Sequence, residues 1–240
     1  MYLYKAPELL NHEMHGSLGI SQFERPYDFA REARVLPLTL PEFTSAHMFY
    51  PIIFTDVDNP VPLVVVGASD DVNLFVEEDG QWVAGAYVPA YVRCYPFALA
   101  ASSDEQLAVV IDREAQVIND SPERPFFDGD KVTAETQTMI DFCGRIDAER
   151  KMAIEFGKRL NELGLLTGHQ ATRTPPGGKQ EVLANYVAVD SSKLTELGPE
   201  TLDDLLNKGY LACIFAHLFS LENWQRILER HIQKTLAGLD

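Results

Sequence analysis

The chain has 240 residues, 46% of them hydrophobic, and a formal net charge of −16. That length suits one large domain or two small ones and allows a sizeable core. The charge repels phosphate backbones and anionic lipid surfaces, which argues against a nucleic-acid or membrane-surface partner.

The opening MYLYKAPELLNHEMHG lacks a basic segment followed by an apolar one, so no secretory leader is expected and the chain is assigned to the cytoplasm. Within it, His12 and His15 lie one helical turn apart with Glu13 between them. A Zn²⁺ ion there would need further ligands, for which Glu24 and Asp28 are the candidates. Solvated histidines and no metal are the expectation. Residues 40–48 read as a short helix with Pro41 in its first turn. The apolar, β-branched runs 51–55 and 62–66 flank the turn sequence Asp56-Val-Asp-Asn-Pro60 and predict a hairpin. Residues 73–76 predict another strand, turning at Glu77-Glu-Asp-Gly80 so that 81–84 pair back. The acidic clusters Asp70-Asp71 and Glu77-Glu-Asp79 lack the alternating oxygen ligands of a Ca²⁺ loop and read as solvated turns. Residues 106–112 and 115–118 predict a second hairpin.

The second half is helical in pattern. After Thr133, a candidate N-cap, apolar residues at Met139, Phe142, Cys143, Ile146, Ala153, Phe156, Leu160 and Leu163 share one face, and Gly164 supplies a stop. Residues 167–179, with Pro175-Pro176-Gly177-Gly178, predict a loop, and 182–189 a strand. Residues 199–208 predict a helix ended by Gly209. Residues 210–219 predict a helix with Leu211, Ile214, Phe215 and Leu218 inward, and Ser220 caps a last helix with Trp224, Ile227, Leu228 and Ile232 inward. The apolar run 210–221 is too short to cross a bilayer. The expected class is α+β: a β-rich, largely antiparallel N-terminal half packed against a helical C-terminal half. We expect one domain over 1–240, β-rich over 1–128 and mainly helical over 129–240, with the strand near 182–189 rejoining the sheet.

Cys94, Cys143 and Cys213 are widely spaced, contain no CxxC and read as reduced, buried thiols. No nucleophile elbow, phosphate loop, dinucleotide fingerprint or HExxH is present, and no cofactor is indicated. Residues 80–97, GQWVAGAYVPAYVRCYPF, concentrate the chemistry. If 91–95 are extended, Tyr91, Arg93 and Tyr95 share one face, where a guanidinium between two phenols suits a carboxylate or phosphate. The alternative for Arg93 is an internal ion pair with Glu42 or Asp112. Trp82 and Tyr87 flank the small residues Ala84-Gly-Ala86, which makes either a stacking pocket or a packed corner. His217 lies in an apolar run, as a buried neutral imidazole or as a ligand contact or general base.

The order of several short pieces resembles the bacterial SapC-like family. They are Pro41-Glu-Phe43, Tyr50-Pro-Ile-Ile-Phe54, Gly67, Asn73-Leu-Phe-Val76, Gly80-Gln-Trp82, Tyr87-Val-Pro-Ala90, Arg93-Cys-Tyr-Pro-Phe97, Phe127-Asp-Gly129, Gly209-Tyr-Leu211, Ala216-His-Leu218 and Ser220-Leu221. The family's name comes from a surface-layer protein system, and members are sometimes labelled peptide permeases, a label at odds with the missing membrane span. The resemblance implies an accessory role beside nutrient uptake or peptide and protein modification, with a protein, peptide or small molecule as partner. Two other readings stay open. One is an enzyme of unrecognised type with a cleft near Arg93, Tyr87 and His217. The other is a surface-layer export or assembly component.

Overall fold

Local signals at both ends set the longest helix, Ala134–Glu162. The Thr133 hydroxyl accepts the Thr136 N–H at 3.3 Å. At the far end Gly164 adopts φ +66°, and the Leu165 N–H returns to the Leu160 carbonyl at 3.0 Å. The fold described here is a computed structural model covering residues 3–68, 72–101, 107–173 and 178–237. It has two compact units. The first comprises Met1–Arg31, Val76–Ala84 and Ala90–Ala148; the second comprises Glu32–Phe75, Gly85–Pro89 and Glu149–Asp240. The class is α+β, with antiparallel sheets mostly in the N-terminal half and helices in the C-terminal half.

Two glycines of the long helix differ in role. A Cβ on Gly157 would overlap the Pro60 carbonyl oxygen, so the backbones approach too closely for any side chain. At Gly144 a Cβ meets nothing within 4 Å. We expect Gly157→Ala to cost about 1–3 kcal/mol through overpacking. Gly144→Ala should instead stabilise by up to about 1 kcal/mol through helix propensity. Urea denaturation of the two variants checks the opposite signs.

In the first unit the strand Leu107–Asp112 is central, paired with Pro7–Leu9 on one side and Phe97–Ala101 on the other. A smaller sheet places Gly19–Ile20 between Ile118–Asn119 and Arg124–Pro125. The core beneath holds Leu18, Cys94, Phe97, Ile111, Phe126 and Cys143. These pairings replace the hairpin expected between 106–112 and 115–118. Leu107–Asp112 finds better apolar partners in Phe97–Ala101, and Ala115 closes a turn onto the Asp112 carbonyl instead.

The second unit is built on a five-stranded antiparallel sheet in the order Leu166–Arg173, Glu181–Val189, Ile52–Phe54, Pro62–Val65, Val35–Pro37. The hairpin Ile52–Phe54 with Pro62–Val65 is as expected. So is the short helical segment after Thr39, whose capping box with Glu42 is complete. The loop expected at 167–179 is wrong over its first half. Leu166–Arg173 is a strand that pairs along Glu181–Val189, so polar residues with no apolar alternation are recruited by their partner strand. Pro175, Pro176 and Gly177 lie outside the described residues, as do Asp70 and Asp71. Asn73–Val76 is not a strand: the Asn73 side chain accepts the Phe75 N–H at 2.8 Å, forming a turn, and Val76 makes a single bridge to Trp82.

Helices Pro199–Asn207, Tyr210–Ser220 and Asn223–Ala237 complete this unit. The inward face of Tyr210–Ser220 differs from expectation. Cys213, Ile214, Ala216, His217 and Ser220 are buried, while Phe215 is 47% exposed. Ser220 does not cap the last helix. It ends its own helix, donating to the His217 carbonyl and accepting the Ile52 N–H at 2.8 Å. In the last helix Ile227 is buried, but Ile232 is exposed. No helix among the described residues is long and apolar enough to cross a membrane.

Candidate functional site

The six candidate residues divide between the units. Tyr87 and His217 belong to the second, and Trp82, Tyr91, Arg93 and Tyr95 to the first.

His217 is fully buried, and both ring nitrogens are committed to backbone. Nδ1–H donates to the Ile52 carbonyl at 2.8 Å, and Nε2 accepts the Val189 N–H at 3.0 Å. The ring therefore ties strand Ile52–Phe54 and strand Glu181–Val189 to the helix Tyr210–Ser220. Burial lowers its pKa to about 4; the Ile52 bond opposes that shift and His169 adds to it. The imidazole is neutral at pH 7 and offers no lone pair to a substrate. Tyr87 is equally engaged, because its phenol donates to the Glu42 carboxylate at 3.0 Å and its carbonyl accepts the Tyr50 hydroxyl.

In the first unit Trp82 is buried and meets Tyr27 edge-on at 5.7 Å. The extended geometry expected for 91–95 does not occur. Ala90–Arg93 is a helical turn, and the Cys94 N–H returns to the Ala90 carbonyl at 3.0 Å. The shared face of Tyr91, Arg93 and Tyr95 is lost with it, since the alternation that would have aligned them needs a strand. Tyr91 packs edge-on against Tyr4 at 6.3 Å. Tyr95 stacks on Phe29 at 3.6 Å and donates its hydroxyl to Asp112 at 3.0 Å. Burial first, then Asp112, raises the Tyr95 pKa, so the phenol stays protonated at neutral pH. Tyr95 also lines a cavity of about 140 Å³ with Lys5, Arg25, Asp28, Phe29 and Glu114. That is small beside the roughly 300–1,000 Å³ of ordinary ligand sites, and its Arg25 is bonded to Asp28.

Arg93 is exposed and faces a different set of residues. It lines an open groove of about 480 Å³ with Thr138, Met139, Asp141, Phe142 and Arg145 of the long helix. Helical spacing puts Thr138, Phe142 and Arg145 on one face. The Arg93 guanidinium carbon is 5.3 Å from the Phe142 ring centre and that of Arg145 is 5.2 Å from it. Two cations thus flank one phenyl ring, an arrangement that holds their planes by cation–π attraction. Asp141 accepts from Gln137 at 2.8 Å. Phe142 and Arg145 were missed as site residues. Phe142 reads as core by its helical phase, and the only signal for Arg145 is its position three residues later.

Of the two N-terminal histidines, His12 is exposed as expected and His15 is not. His15 is buried, not solvated; its Nδ1 accepts the Asn11 N–H and its Nε2 lies 3.2 Å from Glu8. Among the described residues no group of three or more His, Cys, Asp or Glu is placed to hold a metal ion.

The SapC family model matches residues 10–227, most of the chain. No curated protein and no solved structure matches it.

Proposed function

We propose, from the premise that this chain belongs to the SapC family, that it is an accessory binding protein whose groove at Arg93, Phe142 and Arg145 receives its ligand. The observation that carries the reading is the pair of guanidiniums over a single phenyl ring at an open groove, in a chain of net charge −16. The acidic surface disfavours polyanions, while two local cations attract one anionic group. The ligand is then a peptide or small molecule with a single carboxylate or phosphate beside an apolar group, which would lie over Phe142 and Met139. The enzyme reading loses support because His217 has both nitrogens bonded to backbone and cannot act as its base. A cytoplasmic location belongs to the same reading, supported by three buried free thiols.

Calorimetric titration with phenyl phosphate and benzoate tests this. Binding should saturate, weaken with salt, and fall about tenfold in Arg93→Ala or Arg145→Ala, as loss of a charge-assisted bond requires. The thermal midpoint of both variants should be unchanged. Retained binding, or a large stability loss in Arg93→Ala, would instead mark Arg93 as a structural ion pair.

A further inference from the structure

One buried carboxylate, that of Asp112, tethers three residues around the cavity of about 140 Å³ in the first unit. It accepts the backbone N–H of Lys5 at 3.1 Å, that of Glu114 at 3.3 Å and the Tyr95 hydroxyl at 3.0 Å. All three residues line the cavity. The Lys5 ammonium and the Glu114 carboxylate are exposed, and among the described residues neither makes a hydrogen bond or ion pair. The side-chain amide of Gln116, also in the lining, is unbonded in the same way. Half-buried Phe23, Pro26 and Val117 supply an apolar wall beside Phe29, whose ring stacks on Tyr95 at 3.6 Å. Arg25 completes the lining and is held by Asp28. The charges around the cavity therefore balance, Lys5 and Arg25 against Asp28 and Glu114, in a chain of net charge −16.

We propose that this cavity binds a small free α-amino acid, its carboxylate on Lys5 and its ammonium on Glu114 and the Gln116 amide oxygen. The balanced lining selects a zwitterion over a lone anion or cation, because each ligand charge meets its opposite and none is left unpaired. The two groups that receive the ligand have no partner to give up, so binding breaks no bond within the protein. Tethering to Asp112 already places Lys5, Glu114 and Tyr95, which lowers the cost of ordering the site. Volume sets the ligand's size. A cavity of about 150 Å³ holds benzene, a molecule of about six heavy atoms, which is the size of alanine. Glycine, alanine and serine fit, whereas leucine and the aromatic amino acids do not. The apolar wall takes the α-carbon and a short side chain. The site is independent of the groove at Arg93, with which it shares no lining residue.

Calorimetric titration of the full chain with L-alanine tests this, and binding should saturate. Lys5→Ala and Glu114→Gln should each weaken it about tenfold, as loss of a charge-assisted bond requires. Both side chains are exposed and unbonded, so the thermal midpoint should not move. Acetate, methylammonium and L-leucine should each bind about tenfold more weakly than L-alanine, or less well still. Arg93→Ala should bind L-alanine as the unmutated protein does. No saturable binding by the unmutated protein would overturn the proposal, and that arm needs no variant to fold. Equal affinity for acetate, methylammonium or L-leucine, or unchanged affinity in either Lys5→Ala or Glu114→Gln, would overturn it too. Weakened L-alanine binding in Arg93→Ala would put the ligand in the groove and sink this site. Phenyl phosphate binding without L-alanine binding would also sink it and leave the groove standing, and the reverse result would leave this site standing alone.

Discussion

Replacing His217 with alanine is expected to destabilise the protein by roughly 3–5 kcal/mol, the sum of a core cavity and two orphaned backbone groups. The Val189 N–H and the Ile52 carbonyl lose their partner together, in a place no water-exposed atom reaches. The same residue sets an acid limit. The folded imidazole stays neutral down to about pH 4, whereas the unfolded one charges at about 6.5. Between those values the unfolded chain binds the extra proton, so acidification favours unfolding. The contribution is whole above pH 6.5, declines through the window and is lost below pH 4. It amounts to about 3 kcal/mol. Urea denaturation from pH 7.5 to 4 reads both effects. His217→Gln should flatten the slope in that window, and an unchanged slope would mean that another group carries it.

Asp112 carries the second large expectation. Its carboxylate is fully buried and accepts four donors: the backbone N–H groups of Lys5 at 3.1 Å, Ala6 at 2.9 Å and Glu114 at 3.3 Å, and the Tyr95 hydroxyl at 3.0 Å. Asp112 also sits opposite Pro7 in the sheet, so one side chain docks the first strand and orients the ring stacked on Phe29. Asp112→Ala should cost about 3 kcal/mol or more, because several donors are left buried without an acceptor. Hydrogen exchange should show protection lost first along Pro7–Leu9. Asp112→Asn keeps one acceptor oxygen and should lose about half as much. Equal losses in the two variants would contradict this division.

How legible these features were depends on how local their causes are. The hairpin Ile52–Phe54 with Pro62–Val65 could be read because two β-branched runs enclose Asp-Asn-Pro. The long helix could be read because Thr133 and Gly164 mark its ends. The helix Tyr210–Ser220 was legible as a helix but not in its orientation. It is apolar all round, so periodicity gives no phase, and His217 faces the sheet while Phe215 faces solvent. Leu166–Arg173 has no strand pattern of its own and is a strand because Glu181–Val189 lies beside it. The pairing of Leu107–Asp112 with Pro7–Leu9 links residues about a hundred positions apart, which no local signal announces.

The candidate site follows the same rule. Arg93 stood out by composition, as one cation among aromatic rings. Its partners did not, because they come from a helix some fifty residues later, and because a helical turn at Ala90–Arg93 removed the face it was expected to share with Tyr91 and Tyr95. His217 was recognisable as a residue with two possible roles, and its two backbone bonds identify a structural one.

The side-chain Nε–H NMR signals of Arg93 and Arg145 during a phenyl phosphate titration test the binding account most directly. Both are expected to shift along one saturation curve, while the His217 imidazole signals stay in place. Shifts at His217 and Tyr87 with Arg93 and Arg145 unmoved, or no saturable shift at all, would contradict it.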